Sequence, residues 1–225
     1  MKTAKLILLA TLIFAPVITR AGTVISYLPY NINASGTYVL SNNLTVNGGN
    51  GILVNASNVT IDLSGLTLTQ SQAGNGVGIN IPSGMSNVRV QNGTITGFYF
   101  GVLFQSGSGD SITNVQLLNI NYGVYVLAND SLIENCNIVG ATSNSSTGIL
   151  IASCGAVGVR NNRISQCFYG VSESSVATPN TLIGNVEANC SYGLSLGSTT
   201  KYQGNVTTNC TTAISGGIAI GHENG

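Results

Sequence analysis

A glycine followed by apolar residues at alternate positions recurs along the chain. It reads "GILV" from Gly51, "GINI" from Gly78, "GVLF" from Gly101, "GVYV" from Gly123 and "GILI" from Gly148. The series continues as "GVSE" from Gly170 and "GLSL" from Gly193, and closes as "AISG" with Ala213 in the glycine's place. The steps are 27, 23, 22, 25, 22, 23 and 20 residues. Between these anchors runs a second short apolar-alternating segment, such as "NVRVQNGTI" (87–95), "LIENCNI" (132–138), "GVRNNRI" (158–164) and "LIGNV" (182–186). Alternation with period two over three to five residues, bounded by Asn, Gly and Ser, predicts short strands.

A repeat of two or three such strands cannot bury its own apolar face, so each must stack on its neighbours. Propeller blades need four strands in roughly 40 residues, and these repeats are shorter. Helical repeats lack support because a 3.6-residue period is absent and Gly and Asn are frequent. Stacking explains why "GNVEANCSYGLS" (184–195) is echoed by "GNVTTNCTTAIS" (204–215): adjacent turns must match residue upon residue at strand spacing. Alignment on Ile95, Ile138, Ile164, Val186 and Val206 puts Asn92, Asn135 and Asn161 three positions earlier, followed by Ile183 and Gln203. Asn tolerates the left-handed backbone and bonds locally, so Asn92, Asn135 and Asn161 are expected to form an amide ladder at one corner.

These phrases, with the opening "GTYVLSNNLTV…GILV…NVTIDLSGLTL", resemble the parallel β-helix repeat of the pectin-lyase-like superfamily, in particular its small exported members. The resemblance covers roughly Gly36 to Ile220. It implies an all-β, single-stranded right-handed parallel β-helix, a solenoid of about seven or eight short coils. Residues 23 to 40 are expected to form an N-terminal cap.

Composition changes the picture at the ends and in the charge. Lys2 and Lys5 precede "LILLATLIF", and Thr19 and Ala21 stand before Gly22. This predicts a signal peptide over residues 1–21, a β-helix domain over 22–225, and a periplasmic, cell-surface or extracellular destination. The apolar run is too short for an ordinary membrane span. Without that segment four basic residues face seven acidic ones, so nothing attracts a nucleic-acid backbone. Five cysteines lie in the second half and the single histidine is His222. No CxxC or Cys/His grouping occurs, so neither a metal nor another cofactor is expected. Cys167, Cys190 and Cys210 share one column. A disulfide between Cys190 and Cys210 fits its spacing, as do buried thiols acting as core filler.

Candidate chemistry is sparse. Polysaccharide-cleaving relatives of the fold need paired carboxylates, or a calcium cage with a base. Here the acids are scattered, and no catalytic residue is assigned. Asp110 and Asp130 open similar turns, where they either stack within reach of each other or each form an Asx turn onto their own backbone. Glu134 and Arg160 share an outward position. The residue before each anchor glycine forms a column of Phe100, Tyr122, Thr147, Tyr169, Tyr192 and Thr212. Phe100, Tyr122, Tyr169 and Tyr192 are therefore the candidate ligand-binding residues, either as an outward platform for sugar rings or as an internal stack. The expected function is an exported, non-catalytic protein that binds polysaccharide or builds assemblies. A pectin-lyase-like lyase or glycoside hydrolase acting on acidic polysaccharide is the alternative. The short "GGIAIGHENG" terminus suggests end-to-end self-association through unpaired strand edges.

Overall fold

A computed structural model describes residues 22–141, 145–175 and 178–221. The expected signal peptide, part of the "ATSNSSTG" turn, and the terminal His222 and Glu223 lie outside the described residues. Every named strand pair is parallel, and the described residues contain no helix. The chain winds as a parallel β-helix with two walls. One is a nine-stranded sheet taking one strand from each successive turn, and the other is a 16-stranded sheet. Residues 23 to 40 are not a separate cap. Thr23–Ile25 pairs with Gly36–Leu40, and Tyr30–Ile32 pairs with Ile52–Val54, so they already form the first turn.

The core is built from columns, one residue per turn. Ile52, Ile79, Val102, Val124, Ile149, Val171 and Leu194 stack on one wall. Ile61, Val90, Ile112, Ile133, Val159 and Leu182 stack on the other. All are essentially inaccessible. Their burial is the main drive for winding, since each turn covers the apolar face of the one before.

The anchor glycines have a steric cause. A Cβ at Gly51, Gly78 or Gly101 would stand 2.6 Å from the carbonyl oxygen of the next anchor in the series. Gly123, Gly148, Gly170 and Gly193 meet the same obstacle. At Ala213 the side chain is tolerated at the last described turn of the column, where no further anchor carbonyl stands beneath it.

The corner Asn column exists, but the ladder lies one residue further on. Asn92, Asn114, Asn135 and Asn161 have φ of 59°, 56°, 54° and 53°, and Gly184 and Gly204 continue the left-handed corner. Asn135 and Asn161 are exposed, and Asn92 donates to Asp62 at 3.2 Å. The amide ladder runs instead through Asn162, Asn185 and Asn205. The Asn162 amide nitrogen donates to Asn185 Oδ1 at 3.0 Å and that of Asn185 to Asn205 Oδ1 at 2.9 Å. The backbone N–H groups of Cys136, Asn162 and Asn185 donate to the side-chain oxygens of Asn162, Asn185 and Asn205 respectively. The sequence alignment slipped because Val186 and Val206 look inward by hydropathy. Register shows that Ile164 faces Glu187, and Glu187 faces Thr207, with Val186 turned out.

Candidate functional site

Charge is partitioned between the walls. Asp62, Arg89, Glu134, Arg160, Arg163, Glu187 and Lys201 all lie in strands of the 16-stranded sheet. The strands of the nine-stranded sheet contain one charged residue, Glu173, and it stands in the inward column beside Ile151. The outer face of that sheet is therefore uncharged. Its two outward columns are Val77, Phe100, Tyr122, Thr147, Tyr169, Tyr192 and Thr212, and Asn80, Leu103, Tyr125, Leu150, Ser172, Ser195 and Ser215.

Phe100, Tyr122, Tyr169 and Tyr192 share the expected register and are half-buried. Strand spacing near 4.8 Å brings neighbouring rings into parallel contact. Phe100 and Tyr122 stack with centroids 5.1 Å apart and planes at 27°, and Tyr169 and Tyr192 at 5.0 Å and 26°. Each pair is flanked by the preceding aromatic set edge-on: Tyr99 on Phe100 and Phe168 on Tyr169, both at 4.8 Å. Tyr125, one column over, lies 5.8 Å from Phe100 and 6.2 Å from Tyr122. The rings are thus a stack that turns its edges outward rather than an open flat platform. Ring faces not covered by another ring lie at the ends of each pair, beside Val77, Thr147 and Thr212. Thr147, which is buried, separates the two clusters. Tyr99 is 38 % exposed and its ring lies 5.5 Å from that of Tyr122, whose hydroxyl pKa is raised mainly by burial. Tyr99, Tyr125 and Phe168 were missed in the sequence. The doublets "YF" (99–100) and "FY" (168–169) and the alternation in "GVYV" mark all three.

Asp62, Glu173 and Asp110 serve the scaffold. Asp62 accepts hydrogen bonds from Ser64 N, Gln91 and Asn92, which hold its pKa down against burial. Glu173 accepts from Asn180, Gly197 N and Thr200, each at 2.7 Å. Asp110 does not stack on Asp130: Ser111 faces Leu132, so Asp110 stands beside Ser131. Asp110 is buried, accepts from Val88 N at 2.8 Å, and is pushed up to about 6 by desolvation. Asp130 is exposed, with φ 52°. Glu134 and Arg160 are register partners, as expected. Glu187 is inaccessible, has neither carboxylate oxygen hydrogen-bonded, and is pushed up to about 8, chiefly by burial. Hydropathy gave no signal for it. Among the described residues, no three His, Cys, Asp or Glu side chains converge as a metal would require.

All five cysteines are free thiols, so Cys190 and Cys210 are not joined in this structure. Cys190 stands between Cys167 and Cys210 in the predicted column, its thiol donating to Ala188 O at 3.5 Å. In the same turns the interior becomes polar, through Glu173, Glu187, Thr200, Thr207 and the Asn ladder.

The fold defines the class. Residues 100–225 match the right-handed β-helix region family, more than half of the chain, and the protein belongs to that family. Among solved structures, full-length tailspike protein 2 of the Escherichia coli O157:H7 bacteriophage CAB120 is similar at 14 % identity and a TM-score of 0.39. The match covers 80 % of this chain and 33 % of that one, so the chain spans about a third of the tailspike's length. No curated protein matches the sequence.

Proposed function

We propose that this protein is an exported β-helix that holds neutral polysaccharide on the outer face of its nine-stranded sheet without cleaving it. The observation that carries this reading is the uncharged outer face with its two aromatic clusters, on a molecule whose strand-borne surface charges lie on the other wall. A sugar ring has apolar C–H faces and polar hydroxyl edges. It packs against the outward ring edges and the uncovered faces at the ends of each pair, and finds Asn80, Ser172, Ser195 and Ser215 beside them, with no charge to desolvate. The placement of the acids favours binding over hydrolysis. Asp62 and Glu173 are engaged in scaffold hydrogen bonds, and Asp110 and Glu187 are enclosed in the wall and core.

Affinity electrophoresis through gels containing neutral or acidic polysaccharides tests the reading, with a reducing-sugar assay run alongside. Retardation by at least one neutral polymer is expected, reduced in a Tyr169→Ala/Tyr192→Ala double variant that keeps its strand circular dichroism. Migration unaffected by every neutral polymer, or release of reducing sugar from an acidic one, would overturn it.

A further inference from the structure

Three of the five cysteines form a row along the solenoid axis. Cys167, Cys190 and Cys210 occupy equivalent positions in consecutive turns, because Ser165, Ala188 and Thr208 pair in register before them and Tyr169, Tyr192 and Thr212 after them. Neighbouring backbones in such a row are about 4.8 Å apart, within the Cα range that a disulfide spans. The three thiols are turned alike, each donating to the carbonyl two residues before it: Cys167 to Ser165 O at 3.3 Å, Cys190 to Ala188 O at 3.5 Å and Cys210 to Thr208 O at 3.6 Å. Exposure is graded: Cys167 and Cys190 are buried, whereas Cys210, in the last described turn of the column, is half-exposed. Cys136 and Cys154 stand elsewhere in the core, their thiols pushed up to about 12 and about 11 by burial. The neighbouring Cys167 lowers the Cys190 thiol, while Cys167 is raised in turn and partial burial raises Cys210, whose part as the entry point rests on its exposure. The thiolate is the attacking species in exchange, so the chemistry favours the middle of this row over the isolated cysteines.

We propose that Cys210, Cys190 and Cys167 form a thiol–disulfide exchange site that takes a low-molecular-weight disulfide at Cys210 and passes the bond inward along the row. In the first step the Cys210 sulfur attacks one sulfur of R–S–S–R. A Cys210–S–S–R bond forms, the R–S–S–R bond breaks, and R–S⁻ leaves and takes up the proton lost by Cys210. The Cys190 sulfur then attacks the Cys210 sulfur, forming the Cys190–Cys210 disulfide and releasing the second R–S⁻ with the proton of Cys190. Two protein thiols have been oxidised and one small disulfide reduced to two thiols. Attack by Cys167 on Cys190 moves the bond one turn deeper, and Cys210 takes up the Cys167 proton to become a thiol again. The outcome is a covalent tie between adjacent turns. Three thiols in a row let that tie occupy either of two positions.

The test uses the purified protein and oxidised glutathione under anaerobic conditions, followed by alkylation of the remaining thiols. Cleavage after Arg163, Glu173, Glu187 and Lys201 separates the three cysteines into different peptides. A disulfide joining Cys190 to Cys210 or Cys167 is expected, with two reduced glutathiones released per chain, and Cys136 and Cys154 alkylated. Recovery of Cys190 as a free thiol would overturn the proposal. So would a persistent glutathione adduct on Cys210, or oxidation of Cys136 and Cys154 at the same rate. Cys210→Ser is expected to slow oxidation of Cys190 by more than about tenfold, and Cys167→Ser to leave the Cys190–Cys210 bond forming. An unchanged rate in Cys210→Ser would refute access through that residue. The map of the unaltered protein decides the main claim even where a variant fails to fold.

Discussion

Glu187 shows how far one residue can depart from its column. Leu68, Ile95, Leu117, Ile138 and Ile164 precede it in register, and Thr207 follows. The carboxyl is enclosed, has no hydrogen-bond partner for either oxygen, and has its pKa raised from 4.5 to about 8. In the folded protein it is therefore mostly protonated at neutral pH, while in the unfolded chain it is ionised. The folded state binds the extra proton between those two values, so stability is highest at or below about pH 4.5 as far as this group is concerned, and declines as pH rises through about 8. Asp110, raised to about 6, adds a decline in the lower part of the same window. Urea midpoints measured from pH 5 to 9 should fall with pH in the native protein. In Glu187→Gln most of that slope should vanish, with stability gained at pH 8. An unchanged slope in the variant would show that Glu187 does not titrate as a buried group.

The element that repeats most visibly is the corner joining the segments of the 16-stranded sheet. Its left-handed backbone was legible in the sequence, because Asn92, Asn135 and Asn161 supply a residue type that accepts positive φ. The side-chain ladder was not, because "NN" in "GVRNNRI" offers two asparagines and hydropathy does not say which one faces inward. Val186 and Val206 drew the alignment one residue off. The register that corrects it depends on backbone pairing between turns, which composition does not encode. The two columns should respond differently to one substitution. Asn185→Leu removes a buried amide that serves Asn162 N, the Asn162 side chain, Val159 O and Asn205, and is expected to cost about 2–4 kcal/mol. Asn135→Leu places a branched side chain at a left-handed but exposed corner and is expected to cost about 1–2 kcal/mol. Chemical denaturation of both variants separates these expectations. Equal costs would place the amide ladder elsewhere.

For the whole molecule, the division of charge between the walls sets how it meets a partner. Alternation and the anchor glycines made the solenoid and the aromatic register readable from sequence alone. The bare outer face of the nine-stranded sheet was not, because it depends on which strands share a wall. A partner bound there gains little from long-range Coulomb attraction. Raising salt from about 0.05 to about 0.5 M should therefore change affinity for a neutral polysaccharide by less than about twofold. Electrophoretic retardation at the two salt levels measures this, and a steep loss would place the partner on the charged wall. The column of anchor glycines carries a different consequence, one of grammar. The carbonyl of each anchor rests where the preceding glycine has no side chain, so glycine to glycine is the unit the chain can gain or lose while keeping its phase. Removing residues 123–147 would join Tyr122 directly to Gly148 and excise one whole unit of 25 residues together with Thr147. The shortened protein should wind as before, by circular dichroism, with Phe100, Tyr122, Tyr169 and Tyr192 now in one unbroken row. Moving either boundary by a single residue should exchange inside and outside within the strand that carries the joint, up to the next turn that can absorb the slip.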